Sequence, residues 1–232
     1  MNVSENVSNL INKIVLLKEY NSKDTKRHYR FSDVVNHGGY YWKESTEFIL
    51  NQNHLKNTIL RNYIERCPDN NLKQVNPDKL KLLYNVIQKK ITTEHYDLPT
   101  NNELVIHMRI GDVIELDWCL QKNYIKIIQE YIDIHNIIKV TFCTAFHYGN
   151  NVTQGIWIYT DEKHNRNINK LNEIFTKILN NFKHLLIDVK SSKDIDEDFI
   201  YMVMSKHFVK DNGGFSELIQ KLIDYKKENQ IE

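Results

Sequence analysis

From residue 102 onward the chain alternates two hydrophobic rhythms, and no other feature constrains its fold as much. Short apolar, β-branched runs at 104–108, 138–144, 156–160, 185–189 and 208–209 are separated by stretches of helical period. Tyr124, Ile127, Ile128, Tyr131 and Ile132 form one helical stripe. Ile168, Leu171, Ile174, Phe175 and Ile178 form a second, and Phe215, Leu218, Ile219, Leu222 and Ile223 a third. Strands alternating with helices predict a parallel sheet covered by helices. Ligands of such sheets bind beyond the carboxyl ends of the strands.

The first hundred residues lack that rhythm and read as mostly helical. Asn76-Pro77-Asp78 is a helix start, with Asn as cap and Pro at the first helical position. Leu80, Leu83, Tyr84, Ile87 and Ile91 then follow on one face. A further helix is expected over 43–66, ending near Cys67-Pro68, and residues 93–102 read as a linker. The expected division is a short, mostly helical part over 1–100 and a Rossmann-like domain over 101–232.

Composition narrows the function classes. Lys+Arg at 31 against Asp+Glu at 30 leaves a net charge of +1, without the basic excess of a nucleic-acid or membrane-surface protein. No apolar run reaches the ~18–20 residues of a membrane span. Three separated cysteines, Cys67, Cys119 and Cys143, form neither a disulfide framework nor a zinc pattern, which predicts a reducing, cytoplasmic setting. His107, His147 and His207 lack metal-ligand spacing. Ala145 is the only alanine and asparagine is abundant, so the sequons at Asn2, Asn6 and Asn151 are expected by chance.

Four segments carry groups suited to chemistry. His107-Met108-Arg109-Ile110-Gly111-Asp112 follows the first strand of the alternating region. It combines an imidazole, a turn glycine, a carboxylate and a guanidinium able to donate in pairs to phosphate. The bland alternative is a local Arg109–Asp112 ion pair. Asn212-Gly213-Gly214-Phe215-Ser216 opens the last helix, where free amides and small residues favour an anion; its bland alternative is an ordinary turn and cap. Thr160-Asp161-Glu162 closes the run at 156–160. Asp194, Asp196, Glu197 and Asp198 precede or open a helix, where carboxylates ordinarily serve the dipole. Neither a Walker loop nor a Gly-x-Gly-x-x-Gly fingerprint is present.

In order and spacing these segments resemble the superfamily of α1,2-, α1,6- and protein O-fucosyltransferases. Its first motif, His-x-Arg-Arg-Gly-Asp, is matched by His107 to Asp112, with Ile110 in place of the second arginine. Its middle motif is matched by Tyr159-Thr160-Asp161-Glu162. Its last motif is matched by Asp198-Phe199, the run from Met202 to His207, and Gly213 to Ser216. The resemblance covers roughly 103–225. The family's Gly-rich N-terminal motif has only Asn36-His37-Gly38-Gly39 as a remnant.

The resemblance implies a GT-B-like α/β fold and a metal-independent, inverting transfer of fucose from GDP-fucose to a hydroxyl of a glycan or other acceptor. By position, it implies that His107 meets the guanosine part and Arg109 the diphosphate. Asp198 would recognise guanine, and Gly213, Gly214, Phe215 and Ser216 would hold phosphate. Asp112 and Asp161, the carboxylates of the first and middle motifs, would by the same resemblance belong to the donor pocket. Asp117, or else Glu115, would be the base that deprotonates the acceptor. Two other readings compete: a non-catalytic nucleotide-sugar-binding or scaffold protein, and a different α/β enzyme such as a phosphatase, for which a nucleophile motif is lacking.

Overall fold

The computed structural model describes residues 2–20, 77–115, 122–149, 158–193, 195–212 and 214–230. The helix expected over 43–66 and the remnant at Asn36 to Gly39 lie outside the described residues. The chain divides into two compact units. The first comprises 1–23, 99–194 and 205–211, and the second comprises 24–98, 195–204 and 212–232. The sequence boundary at 100/101 is therefore crossed at both ends of the chain.

The first unit is α/β with parallel pairing in both of its sheets. Strands β1 (Leu16–Tyr20), β2 (Glu103–His107), β3 (Ile110–Gly111), β4 (Lys139–Cys143), β5 (Phe146–Gly149), β6 (Leu186–Lys190) and β7 (His207–Val209) form a four-stranded sheet and a three-stranded sheet. The larger has the order β6-β4-β2-β7 and the smaller β1-β5-β3. Helices α1 (Val3–Asn12), α3 (Tyr124–Ile134) and α4 (Asp161–Asn181) belong to the same unit. The second contains α2 (Pro77–Thr93), α5 (Ile195–Met204) and α6 (Gly214–Glu228).

Strand periodicity builds the core. Leu104 and Ile106 of β2 stand beside Val140 and Phe142 of β4, which stand beside Ile187 and Val189 of β6. These six side chains face one layer with Val7, Leu10 and Ile11 of α1, Ile128 of α3, and Leu171 and Phe175 of α4. Burial of such β-branched and aliphatic side chains stabilises by roughly 1.5–3 kcal/mol each relative to exposure. At the opposite end of the ladder Glu103 is 1% exposed and is satisfied locally. Its carboxylate accepts the Thr141 hydroxyl, the Thr100 N–H at 3.2 Å and the Lys139 ammonium at 3.2 Å.

Three strands, β1, β3 and β5, run where the residues carry no strand signal. Leu16–Tyr20 lacks β-branching, yet it pairs in parallel with β5 from Leu16 opposite Phe146 onward, which brings residues 1–23 into the first unit. Phe146-His147-Tyr148-Gly149 carries aromatic residues instead of a β-branched run. Of the run expected at 156–160, Ile156 and Trp157 lie outside the described residues; Ile158 is a bridge residue, and Thr160 caps α4.

The second unit follows its helical stripe. Leu83, Tyr84 and Ile87 of α2 are buried, with Tyr84 and Tyr225 rings 6.3 Å apart. Gln88 donates to the Tyr84 hydroxyl at 2.7 Å. Thr93, expected in the linker, is instead the last residue of α2.

Gly111 is fixed by the junction between strands. Its φ is +96°, and a Cβ there would lie 2.3 Å from the carbonyl oxygen and 2.5 Å from the nitrogen of His147. Both the left-handed conformation and the approach of two backbones require glycine. Gly111→Ala should lower unfolding free energy by about 3 kcal/mol in urea titration, the sum of a backbone and an overpacking penalty. A variant as stable as the parent would show that the β3–β5 contact is not as described.

Candidate functional site at the strand ends

The segment His107 to Asp112 bridges the two sheets of the first unit. His107 ends β2, Met108 continues the ladder by donating its N–H to the Cys143 carbonyl at 3.0 Å, and Ile110-Gly111 forms β3. Alternation holds through the junction: Leu104, Ile106, Met108 and Ile110 all enter the apolar layer. Ile110 is 1% exposed, so the position where the resembling family has a second arginine here points into hydrocarbon. Val105, His107 and Arg109 alternate to the other side.

Arg109 is held by its main chain. Its N–H donates to Asp211 Oδ2 at 2.7 Å, across the 102 residues that separate the ends of β2 and β7. Parallel pairing makes this contact possible, since Ile106 lies opposite Val209. Asp211 Oδ1 lies 3.3 Å from Lys122 Nζ, and the same ammonium donates to the Lys210 carbonyl. The guanidinium stays loose by comparison, with Nη2 3.7 Å from Asp112 Oδ2 and its side chain 35% exposed. The bland reading of an Arg109–Asp112 pair is thus present in the geometry, but as a long contact.

A buried polar network sets the next turn. The Asn167 carboxamide, on α4 and fully buried, accepts the Gly111 N–H and donates to the Gly111 carbonyl, both at 3.0 Å. Its Nδ2 also meets the Tyr148 hydroxyl at 3.2 Å and the Lys163 carbonyl at 2.9 Å. Tyr148 in turn reaches His164 Nδ1 at 3.2 Å. Asp112 opens a short 3₁₀ turn, Asp112–Glu115, and is 6% exposed. Its Oδ1 has no hydrogen-bond partner among the described residues.

Burial dominates the ionisation of this cluster. It pushes Asp112 up to about 6, against the opposing pull of Arg109, the Val113 backbone and Lys163. It pushes His107 down to about 4; the charge of Asp211 opposes that shift while Lys122 and Arg109 add to it. It also pushes Tyr148 up to about 12. At neutral pH the ring of His107 is therefore uncharged, and among the described residues Arg109 and Lys122 are the cations that act on it.

The remaining sequence-derived residues fall elsewhere. Asp161 begins α4, accepting the Tyr159 hydroxyl at 2.7 Å, while Thr160 caps the helix by accepting the Lys163 N–H at 3.2 Å. Asp198 lies in the first turn of α5 in the second unit and is buried, as is Asp196. Gly214, Phe215 and Ser216 open α6 in that unit, with Ser216 fully buried and the Phe215 ring 5.5 Å from Phe199. Glu115 ends the 3₁₀ turn, whereas Asp117, Gly213 and Asp194 lie outside the described residues. Among the described residues no group of three or more His, Cys, Asp and Glu could hold a metal ion, and no helix is long and apolar enough to cross a membrane.

Sequence reasoning missed Asp211, Lys122 and Asn167. A carboxylate directly after a short strand was the available signal for Asp211. Asn167 carried none, because asparagine is common throughout this chain. No protein-family model matches the chain, and no curated protein or solved structure matches it.

His107 and Asp112 give opposite pH signatures. The folded protein favours protonated Asp112, so its penalty grows as pH rises from about 4 to about 6. It favours neutral His107, so that contribution is lost as pH falls from 6.5 towards about 4. Asp112→Asn should stabilise by about 2 kcal/mol at pH 7.5, with the gain vanishing near pH 4. His107→Gln should flatten the acid-side loss of stability. Urea unfolding between pH 4 and 8 reads both, and curves parallel to the parent's would contradict the burial-driven shifts.

Proposed function

We propose that this protein is a fucosyltransferase-like glycosyltransferase of GT-B type that moves fucose from GDP-fucose to an acceptor hydroxyl with inversion and without a metal ion. The observation that carries the reading is the Arg109 turn at the carboxyl end of β2, locked to the end of β7 through Asp211. This is the rim where parallel α/β sheets bind ligands. It supplies a partly exposed guanidinium suited to the charge that grows on a departing diphosphate. The neutral, half-buried His107 beside it suits a hydrogen bond to the nucleoside part better than charge neutralisation.

The roles that follow from the resemblance complete the mechanism. The acceptor oxygen attacks the anomeric carbon as a carboxylate takes its proton, and the bond to the diphosphate breaks on the opposite face. Asp117 is the proposed base and Glu115 its alternative. By the resemblance, Asp198 would accept hydrogen bonds from guanine, and Gly213, Gly214, Phe215 and Ser216 would form a phosphate-binding turn. Asp112 orients Arg109 from 3.7 Å, and Asp161 belongs to the middle motif. The burial of Ile110 favours a second reading, a non-catalytic nucleotide-sugar binder, because the His107 to Asp112 segment itself then offers one cation.

Binding and turnover separate the two readings. GDP should bind at least 100-fold tighter than UDP, as expected of a site built on paired hydrogen bonds. Arg109→Ala should weaken GDP binding and slow transfer, with Arg109→Lys rescuing only in part because it cannot donate bidentately. Asp117→Asn should leave GDP affinity nearly unchanged while transfer falls ~10²–10⁴-fold, and transfer should persist in excess chelator. GDP and UDP binding alike would overturn the donor assignment. GDP binding with no transfer to any hydroxyl acceptor would favour the non-catalytic reading.

A further inference from the structure

A diphosphate carries at least two negative charges, yet the His107 to Asp112 segment offers it one guanidinium, since Ile110 is buried in the apolar layer. Parallel pairing of β2 with β7 brings a second cation to the same rim. Lys122 Nζ stands 3.3 Å from Asp211 Oδ1, and Asp211 Oδ2 holds the Arg109 N–H. The charges of Lys122, Arg109 and Asp211 all act on the His107 ring at the end of β2. Both cations have a resident carboxylate at a distance longer than the ~2.7–2.9 Å of a well-formed charge-assisted hydrogen bond: 3.3 Å for Lys122 and 3.7 Å for Arg109. Lys122 is 25% exposed, and among the described residues two of its three N–H donors are used, on Asp211 and the Lys210 carbonyl.

We propose that Lys122 is the second cation of this anion site, binding the diphosphate alongside Arg109, with Asp211 as the counter-ion it keeps while no ligand is bound. The inference rests on the diphosphate reading of the site and adds a residue to it. A bound diphosphate competes with Asp211 for the ammonium, while Asp211 continues to hold the Arg109 N–H. Asp211 thereby acts as a positioning residue whose charge opposes ligand binding and whose oxygen supports it.

Those two roles are separable. Asp211→Asn keeps an oxygen for the Arg109 N–H but removes the charge. Inorganic pyrophosphate binding by the full chain at low salt, measured calorimetrically, should weaken 10- to 100-fold in Lys122→Met. It should tighten several-fold in Asp211→Asn and stay within a few-fold of the parent in Lys122→Arg. If Lys122 were only a structural partner of Asp211, breaking the pair from either side would move affinity in the same direction or not at all, and that result overturns the proposal. Should Lys122→Met fail to fold, the sign of the Asp211→Asn effect decides alone. Opposite shifts for pyrophosphate combined with equal binding of GDP and UDP would keep Lys122 and remove the guanine-donor reading. Preference for GDP, lost affinity in Arg109→Ala and an unchanged Lys122→Met would do the reverse. An unaltered protein that binds no pyrophosphate overturns both.

Discussion

The hydrogen bond from the Arg109 main chain to Asp211 joins the ends of two strands that are 102 residues apart in sequence. It depends on parallel pairing of β2 with β7, and that pairing depends on the alternating burial of Leu104 and Ile106. A one-residue slip would turn those side chains out of the apolar layer and bring Val105 and His107 into it. Register is thus set by hydrophobic burial, and the polar rim inherits its geometry from the register. The contact also fixes Arg109 through its backbone, leaving the guanidinium to a long, exchangeable contact with Asp112.

The second constraint is the close approach of β3 to β5. Gly111 admits the His147 backbone where any side chain would collide, and Asn167 then satisfies both main-chain groups of that glycine. An unpaired buried amide or carbonyl costs ~1–3 kcal/mol, so the carboxamide stabilises the junction by answering both at once. The turn from Arg109 to Asp112 is held at Arg109 by Asp211 and at Gly111 by Asn167. The next residue, Asp112, carries a carboxylate whose burial works against its own ionisation.

Much of this architecture was legible in the residues. The β-branched runs gave β2, β4, β6 and β7 to within a residue or two, because a fully buried parallel strand is hydrophobic on both faces. Asn76-Pro77 marked the start of α2 for a local reason, the fixed φ and missing N–H of proline. The strands β1 and β5 were not legible, since Leu16-Leu17 and Phe146-His147-Tyr148 become strands by pairing with each other rather than by local preference. The site divides in the same way. His107, Arg109 and Asp112 stood out because they are adjacent in sequence, whereas Asp211, Lys122 and Asn167 join them only through tertiary pairing. Asp198 and Ser216, expected from the sequence to serve the same pocket, belong to the second unit.

We propose that the rim at the end of β2 is a nucleotide-diphosphate site with guanine preference. Thermal unfolding of the intact chain against a panel of nucleotides and nucleotide sugars tests it most directly. A ligand at 100 times its dissociation constant adds about 2.7 kcal/mol to folding stability. GDP and GDP-fucose should raise the midpoint by several degrees, while UDP, ADP and their sugars should leave it unmoved. A panel in which no guanine nucleotide shifts the midpoint, or in which every diphosphate shifts it equally, would contradict the account.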